Sequence, residues 1–130
     1  RAYFHWAHSP EQVSVWEQSL PQIFPQTAPG NFTYIPQQEA WAWTTFYPYQ
    51  WDLNYANPAV FAEVVQALLK LANQGVEALR IDSTAFLWKR AGTNCLNQPE
   101  VHWILQAIRS LMTIAALLMN TYNACEQKSL

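Results

Sequence analysis

Gly75-Val76-Glu77-Ala78-Leu79-Arg80-Ile81-Asp82-Ser83-Thr84-Ala85-Phe86 decides how the chain is read. A glycine stops one element, and a short apolar run then delivers an arginine and an aspartate one residue apart. Alternate side chains of a strand point to opposite faces. A strand over Val76–Asp82 therefore puts Arg80 and Asp82 on one face and Leu79 and Ile81 on the other. A guanidinium and a carboxylate then sit side by side at the C-terminal end of the strand, where parallel α/β folds build their active sites. Arg80 keeps its proton and would hold Asp82 ionised, as a nucleophile working near neutral pH requires. The same two residues could equally form a structural ion pair, which is common at strand ends.

The element that Gly75 stops is the clearest helix in the chain. Asn57 is its N-cap and Pro58 its first helical residue. Phe61, Val64, Val65, Leu68, Leu69 and the pair Leu71–Ala72 advance at 3 and 4 residues, with Glu63, Gln66, Lys70 and Gln74 on the other side. Gly75 follows as the residue just past the C-cap. Helix, glycine, strand is the transition of an α/β fold. After Asp82 the chain runs through a helical turn at 83–90 and a loop at 91–97. Pro99 then opens a second long helix, from Glu100 to about Leu118, with Val101, Ile104, Leu105, Ile108, Leu111 and Met112 on one stripe and His102 beside it.

Upstream, Ser9-Pro10-Glu11 starts a helix that Pro21 ends, with Val13, Val15, Trp16 and Leu20 loosely periodic. Prolines 21, 25, 29 and 36, with Gly30 and Asn31, make the next stretch an ordered loop rather than a helix or central strand. Its Ile23, Phe24, Phe32, Tyr34 and Ile35 suit a loop packed over a site. Trp41-Ala42-Trp43-Thr44-Thr45-Phe46 reads as a strand or extended segment that Tyr47-Pro48-Tyr49 breaks. His5 and His8 could share a helical face and bind a metal, but no third ligand stands at a suitable spacing, so no metal is expected.

The composition is that of a globular chain of 130 residues, 51% hydrophobic and 12% charged, with a net charge of −2. No Lys/Arg cluster marks a nucleic-acid partner. The apolar run Leu111–Met119 falls short of the roughly 20 residues that span a bilayer. The N-terminus has no basic-then-apolar leader pattern, which suggests the cytoplasm. Cys95 and Cys125 read as two idle thiols rather than a disulfide. The chain begins with Arg1, so a piece of a longer protein is expected.

Several blocks together carry a likeness. They are Phe24-Pro25-Gln26-Thr27-Ala28-Pro29-Gly30-Asn31-Phe32-Thr33, Trp43-Thr44-Thr45-Phe46, Gln50-Trp51-Asp52-Leu53-Asn54-Tyr55, Leu79 through Lys89, and Gly92-Thr93-Asn94-Cys95. In this order, over about positions 20 to 116, the chain closely resembles the amylosucrases of glycoside hydrolase family 13, in the α-amylase superfamily. The resemblance implies a partial TIM (β/α)8 barrel running from the excursion after strand 3 through strand 4 and its following helix. Residues 1–42 would be the loop-rich lid excursion, 43–116 the partial catalytic barrel, and 117–130 a divergent tail.

Carried over by position, Asp82 matches the catalytic nucleophile and Arg80 the arginine that positions it. Asp52 and Asn54 match a short block before the fourth strand, and Phe46 and Gln50 match residues that shape the donor pocket. Phe86 stands where many amylases have His, as in the sucrose-active members. The implied activity is retaining α-glucosyl transfer or hydrolysis on sucrose or α-glucans, with no cofactor. Alternatives are a sucrose hydrolase or α-glucosidase of the same family, and a non-catalytic carbohydrate-binding segment.

The likeness stops before the acid/base glutamate. In register from Met112 that residue would fall at Ala124, whereas Glu126 lies two positions late. The stretch after about Ala116 is therefore expected to be a frameshifted or mis-terminated end, and the chain to be inactive alone. A barrel takes roughly 250 residues. One βα unit leaves sheet edges and an apolar helix face uncovered, so aggregation or a partly molten state is expected.

Overall fold

The computed structural model describes residues 2–126, with side chains described through residue 116. A three-stranded antiparallel sheet and three helices make up the fold, in the order β1 (Trp6–Ala7), α1 (Pro10–Glu17), β2 (Phe32–Ile35), β3 (Ala40–Trp43), α2 (Pro58–Asn73) and α3 (Pro99–Glu126). The strand order is β1-β3-β2, so the aromatic strand Ala40–Trp43 is central. Phe32 pairs with Trp43 and Tyr34 with Trp41, placing aromatic against aromatic across the strands at 4.8 and 4.7 Å between ring centroids. Ala40 and Ala42 fill the other face and are fully buried.

Trp43 is the hub. It is 3% exposed, and Trp16 of α1 meets it edge-on at 4.9 Å while the His5 ring lies 5.8 Å away. Beyond β3 the chain turns and comes back. Asp52 N–H donates to the Trp43 carbonyl at 2.9 Å, and His5 N–H donates to the Asp52 carbonyl at 3.2 Å. Residues 52–54 thereby run beside both the strand end and the chain's first residues, with Phe4 bridged to Leu53.

The helices form as their sequence signals direct. Ser9 Oγ accepts from Gln12 N–H and Asn57 Oδ1 accepts from Ala59 N–H, each with proline next in the chain. Gly75 adopts φ +90°. Its N–H donates to Ala72 O at 2.9 Å, and Val76 N–H donates to Leu71 O at 3.2 Å, which is the Schellman pair of bonds that ends α2. Val60 of α2 and Val101 and Ile108 of α3 are buried, and the two helices pack against each other. The helix α3 runs to Glu126, past the expected end near Leu118, while residues 127–130 lie outside the described residues.

Three expectations are corrected. Residues 76–83 form no strand, because the described residues supply no parallel neighbour to complete their hydrogen bonds. The sheet that does form is antiparallel: its central strand β3 overlaps the expected extended segment Trp41–Phe46, whereas β2 lies inside the proline-rich stretch expected to be loop. Phe32–Ile35 is an edge strand whose run ends at Pro36, and an edge tolerates that proline where a central strand would not. His5 and His8 do not share a helix either. His5 sits beside Asp52, and His8 precedes α1, its N–H donating to Gln12 Oε1 at 2.7 Å. Among the described residues no helix is long and apolar enough to cross a membrane.

Candidate functional site

Although unpaired, the stretch after Gly75 keeps the alternation of a strand. Leu79 and Ile81 line a groove of about 600 Å³ with Leu105, Ile108 and Met112 of α3. Asp82 faces the other way, into a concavity of about 220 Å³ with Phe46, Gln50, Trp51, Asp52, Tyr55 and Phe86. Arg80 Nη2 stands 3.4 Å from Asp82 Oδ1, and the two side chains are 85% and 75% exposed. The expected ion pair is therefore present, at the surface, where water screens it and little stability follows. Ser83, at φ +54°, turns its N–H onto the same Asp82 oxygen at 2.9 Å.

Of the expected site residues, Phe46, Gln50, Asp82 and Phe86 meet at this one concavity, and Arg80 reaches it only through Asp82. Phe46 follows β3, Gln50 closes a turn onto Tyr47, and Phe86 ends a 3₁₀ turn over Thr84–Phe86. The Phe46 and Phe86 rings meet edge-on at 5.2 Å, which fixes one wall of the concavity. Burial raises the hydroxyl pKa of Tyr55 on the same wall.

Sequence reading missed what anchors these pieces. Lys89 is buried, and its Nζ donates to Asp52 Oδ2 at 2.5 Å, to the Phe86 carbonyl at 2.9 Å and to Thr45 Oγ1 at 3.4 Å. It also lies 4.7 Å from the centre of a Trp43 ring. Asp52 in turn accepts from Thr45 N–H at 3.1 Å and Thr45 Oγ1 at 2.6 Å. One ammonium and one carboxylate thus tie together the end of β3, the Asp52 segment and the 3₁₀ turn, the three stretches that carry the walls of the concavity. Burial, with Lys89 adding to it and Asp52 opposing, lowers the His5 pKa from 6.5 to about 4, so His5 is neutral beside this pair. The available signal was a lysine following Phe86-Leu87-Trp88 and an aspartate between Trp51 and Leu53.

Asp52 is committed to these partners, so Asp82 is the one carboxylate on the described wall left open to a ligand. No Lys or Arg lines that wall. An open carboxylate flanked by aromatic rings and an amide suits a neutral, hydroxyl-bearing ligand and a nucleophilic or charge-stabilising role.

A scan against protein-family profiles finds no match. Similar curated proteins include glucosylglycerate phosphorylase of Allomeiothermus silvanus, 39% identical over 113 residues, covering 85% of this chain and 20% of the relative. A trehalose synthase/amylase of Mycobacterium tuberculosis is 31% identical over 110 residues, covering 85% of this chain and 18% of the relative. A trehalose synthase of Thermus thermophilus is 32% identical over 111 residues, covering 85% and 11%. The chain therefore spans about a fifth or less of the length of these relatives. They support glycoside hydrolase family 13, the α-amylase family, and not amylosucrase in particular.

Proposed function

We propose that the chain is a segment of a retaining α-glucosyl-transferring or hydrolysing enzyme of glycoside hydrolase family 13, with Asp82 as its nucleophile. The observation that carries this reading is the convergence of Phe46 and Gln50 with Asp82 and Phe86, two stretches far apart in the chain, on one concavity. In this reading residues 43–116 are a barrel segment around strand 4, and residues 76–82 are a strand awaiting its neighbours. Asp82 attacks the anomeric carbon from the side opposite the leaving group as that carbon–oxygen bond breaks. A covalent glucosyl ester forms, and an incoming hydroxyl, water or phosphate then displaces the carboxylate. Arg80, 3.4 Å from Asp82, helps aim its carboxylate, while Phe46, Gln50 and Phe86 shape the space for the donor glucose.

The donor is an α-glucoside. The relatives' names point to glucosylglycerate and trehalose, and Phe86 in place of the amylase-type histidine keeps sucrose among the candidates. Retaining catalysis needs a second carboxyl about 5–5.5 Å from the first to shuttle the proton. Asp52 is held by Lys89 and Thr45 and cannot serve, and the described residues bring no further carboxylate to the concavity, so the chain alone should not turn sugar over.

Incubating the chain with sucrose, trehalose and glucosylglycerate checks this, and free glucose above a blank would refute the second statement. For the first, Asp82→Asn is introduced into the encoding gene with its flanking sequence. Asp82 is exposed, so the fold should stay within about 0.5 kcal/mol of the parent while glucosyl transfer falls to background. Activity retained by that variant would sink the assignment.

A further inference from the structure

Tyr55 lines the concavity from a turn that leaves it little freedom. Asn54 Oδ1 accepts from Ala56 N–H at 3.1 Å, and Asn57 N–H donates to the Asn54 carbonyl at 3.0 Å. Asn54 N–H donates to the Tyr3 carbonyl at 2.8 Å and Asn57 Nδ2 to the Ala2 carbonyl at 3.2 Å, which ties both flanks to the chain's first residues. Asn57 Oδ1 also accepts from Ala59 N–H and so fixes the start of α2. With its backbone pinned between two asparagines, Tyr55 has only its two side-chain torsions left to settle.

Its side chain is half-buried, and among the described residues its hydroxyl makes no hydrogen bond. A phenol partly withdrawn from water without a partner costs the fold free energy and returns none. Phenylalanine would fill the same space without that cost. A hydroxyl kept under those terms suits a partner that arrives with the ligand. Gln50, Ser83 and Asp82 bring an amide, a hydroxyl and a carboxylate to the same concavity, with no Lys or Arg on its wall. That set matches the mixed donors and acceptors of sugar hydroxyl groups and offers nothing to an anion.

We propose that Tyr55 is a specificity-determining residue of the glucosyl site, its hydroxyl sharing a hydrogen bond with one hydroxyl group of the donor sugar. The proposal rests on reading the concavity as that site. A site that keeps a polar group for a substrate hydroxyl rejects the analogue lacking it, because the protein's group is then left unpaired.

The test places Tyr55→Phe in the encoding gene with its flanking sequence and follows nitrophenol release from para-nitrophenyl α-glucoside and its monodeoxy analogues. The parent enzyme should disfavour one analogue by about tenfold in kcat/KM. Tyr55→Phe should lose about tenfold on the full glucoside and no longer distinguish it from that analogue. The thermal midpoint should hold or rise, since no bond within the protein is removed. A clear fall in the midpoint would show the hydroxyl bonded inside the fold and overturn the proposal. So would a loss shared equally by every analogue, which marks a general disturbance of the site. Unchanged kcat/KM in Tyr55→Phe, alongside abolished release in Asp82→Asn, overturns the proposal and leaves the glucosyl reading intact. Discrimination lost in Tyr55→Phe, with release retained in Asp82→Asn, supports the hydroxyl contact and sinks Asp82 as nucleophile. Parent protein releasing no nitrophenol overturns both.

Discussion

Lys89 Nζ lies 2.5 Å from Asp52 Oδ2, with the lysine side chain 3% exposed and the aspartate 13%. Thirty-seven positions separate the two residues. A buried pair of this kind adds little over well-packed apolar residues, but removing one partner strands a charge away from water. Lys89→Met should therefore cost about 3–5 kcal/mol, measured by urea denaturation. Lys89→Met combined with Asp52→Leu should cost less than Lys89→Met alone. A double-variant loss equal to the sum of the two single losses would show that the pair is not coupled.

His5 gives the fold a pH dependence of defined sign. Its pKa is about 4 in the folded chain against 6.5 when free, so between those values the unfolded state binds more protons. Stability is then full above about pH 6.5 and falls as pH drops toward 4, by on the order of 3 kcal/mol at most. His5→Gln should flatten that slope between pH 4 and 6.5 in denaturation curves. An unaltered slope would place the titrating group elsewhere.

Asn31 and Glu17 join α1 to the turn before β2. The Asn31 backbone N–H donates to Glu17 Oε1 at 2.5 Å, and Asn31 Nδ2 donates to Glu17 Oε2 at 3.0 Å and to the Pro21 carbonyl at 3.3 Å. Asn31 is 2% exposed, so these donors have no water to fall back on. Glu17→Gln turns an amide N–H₂ toward them and should cost about 1–3 kcal/mol in thermal or chemical denaturation. Gly30→Ala should also destabilise, because φ there is +80° and the added Cβ would stand 3.2 Å from Glu17 Oε1.

What could be read ahead of the structure was what neighbouring residues decide. Asn57, Pro58 and Gly75 bound α2 within a residue, since caps act over one turn. The placement of Arg80 and Asp82 on one side and Leu79 and Ile81 on the other followed from backbone alternation and survives without a sheet. Pairing could not be read in this way. Phe32–Ile35 joins the sheet because β3 offers it an aromatic partner, whereas Val76–Asp82 finds no partner strand among the described residues. Family likeness suggests Phe46, Gln50 and Phe86, which the fold brings to one concavity, while the Lys89–Asp52 tie that holds their stretches together depends on a contact across 37 positions. Local signals are silent on such contacts.

The groove under residues 76–81 yields the last prediction. Leu79 is 37% and Ile81 41% exposed, and with Leu105 and Met112 they bound an apolar groove of about 600 Å³. Apolar surface left open in this way binds hydrophobic dyes and promotes association, while contributing little to the folded state's own stability. Ile81→Ser should thus lower dye fluorescence and slow aggregation with the thermal midpoint nearly unchanged. Val60 is the contrast, 1% exposed in the packed face of α2, and Val60→Ala should cost about 2 kcal/mol. If Ile81→Ser destabilised as much as Val60→Ala, the 76–82 stretch would be part of the closed core rather than a segment still lacking its cover.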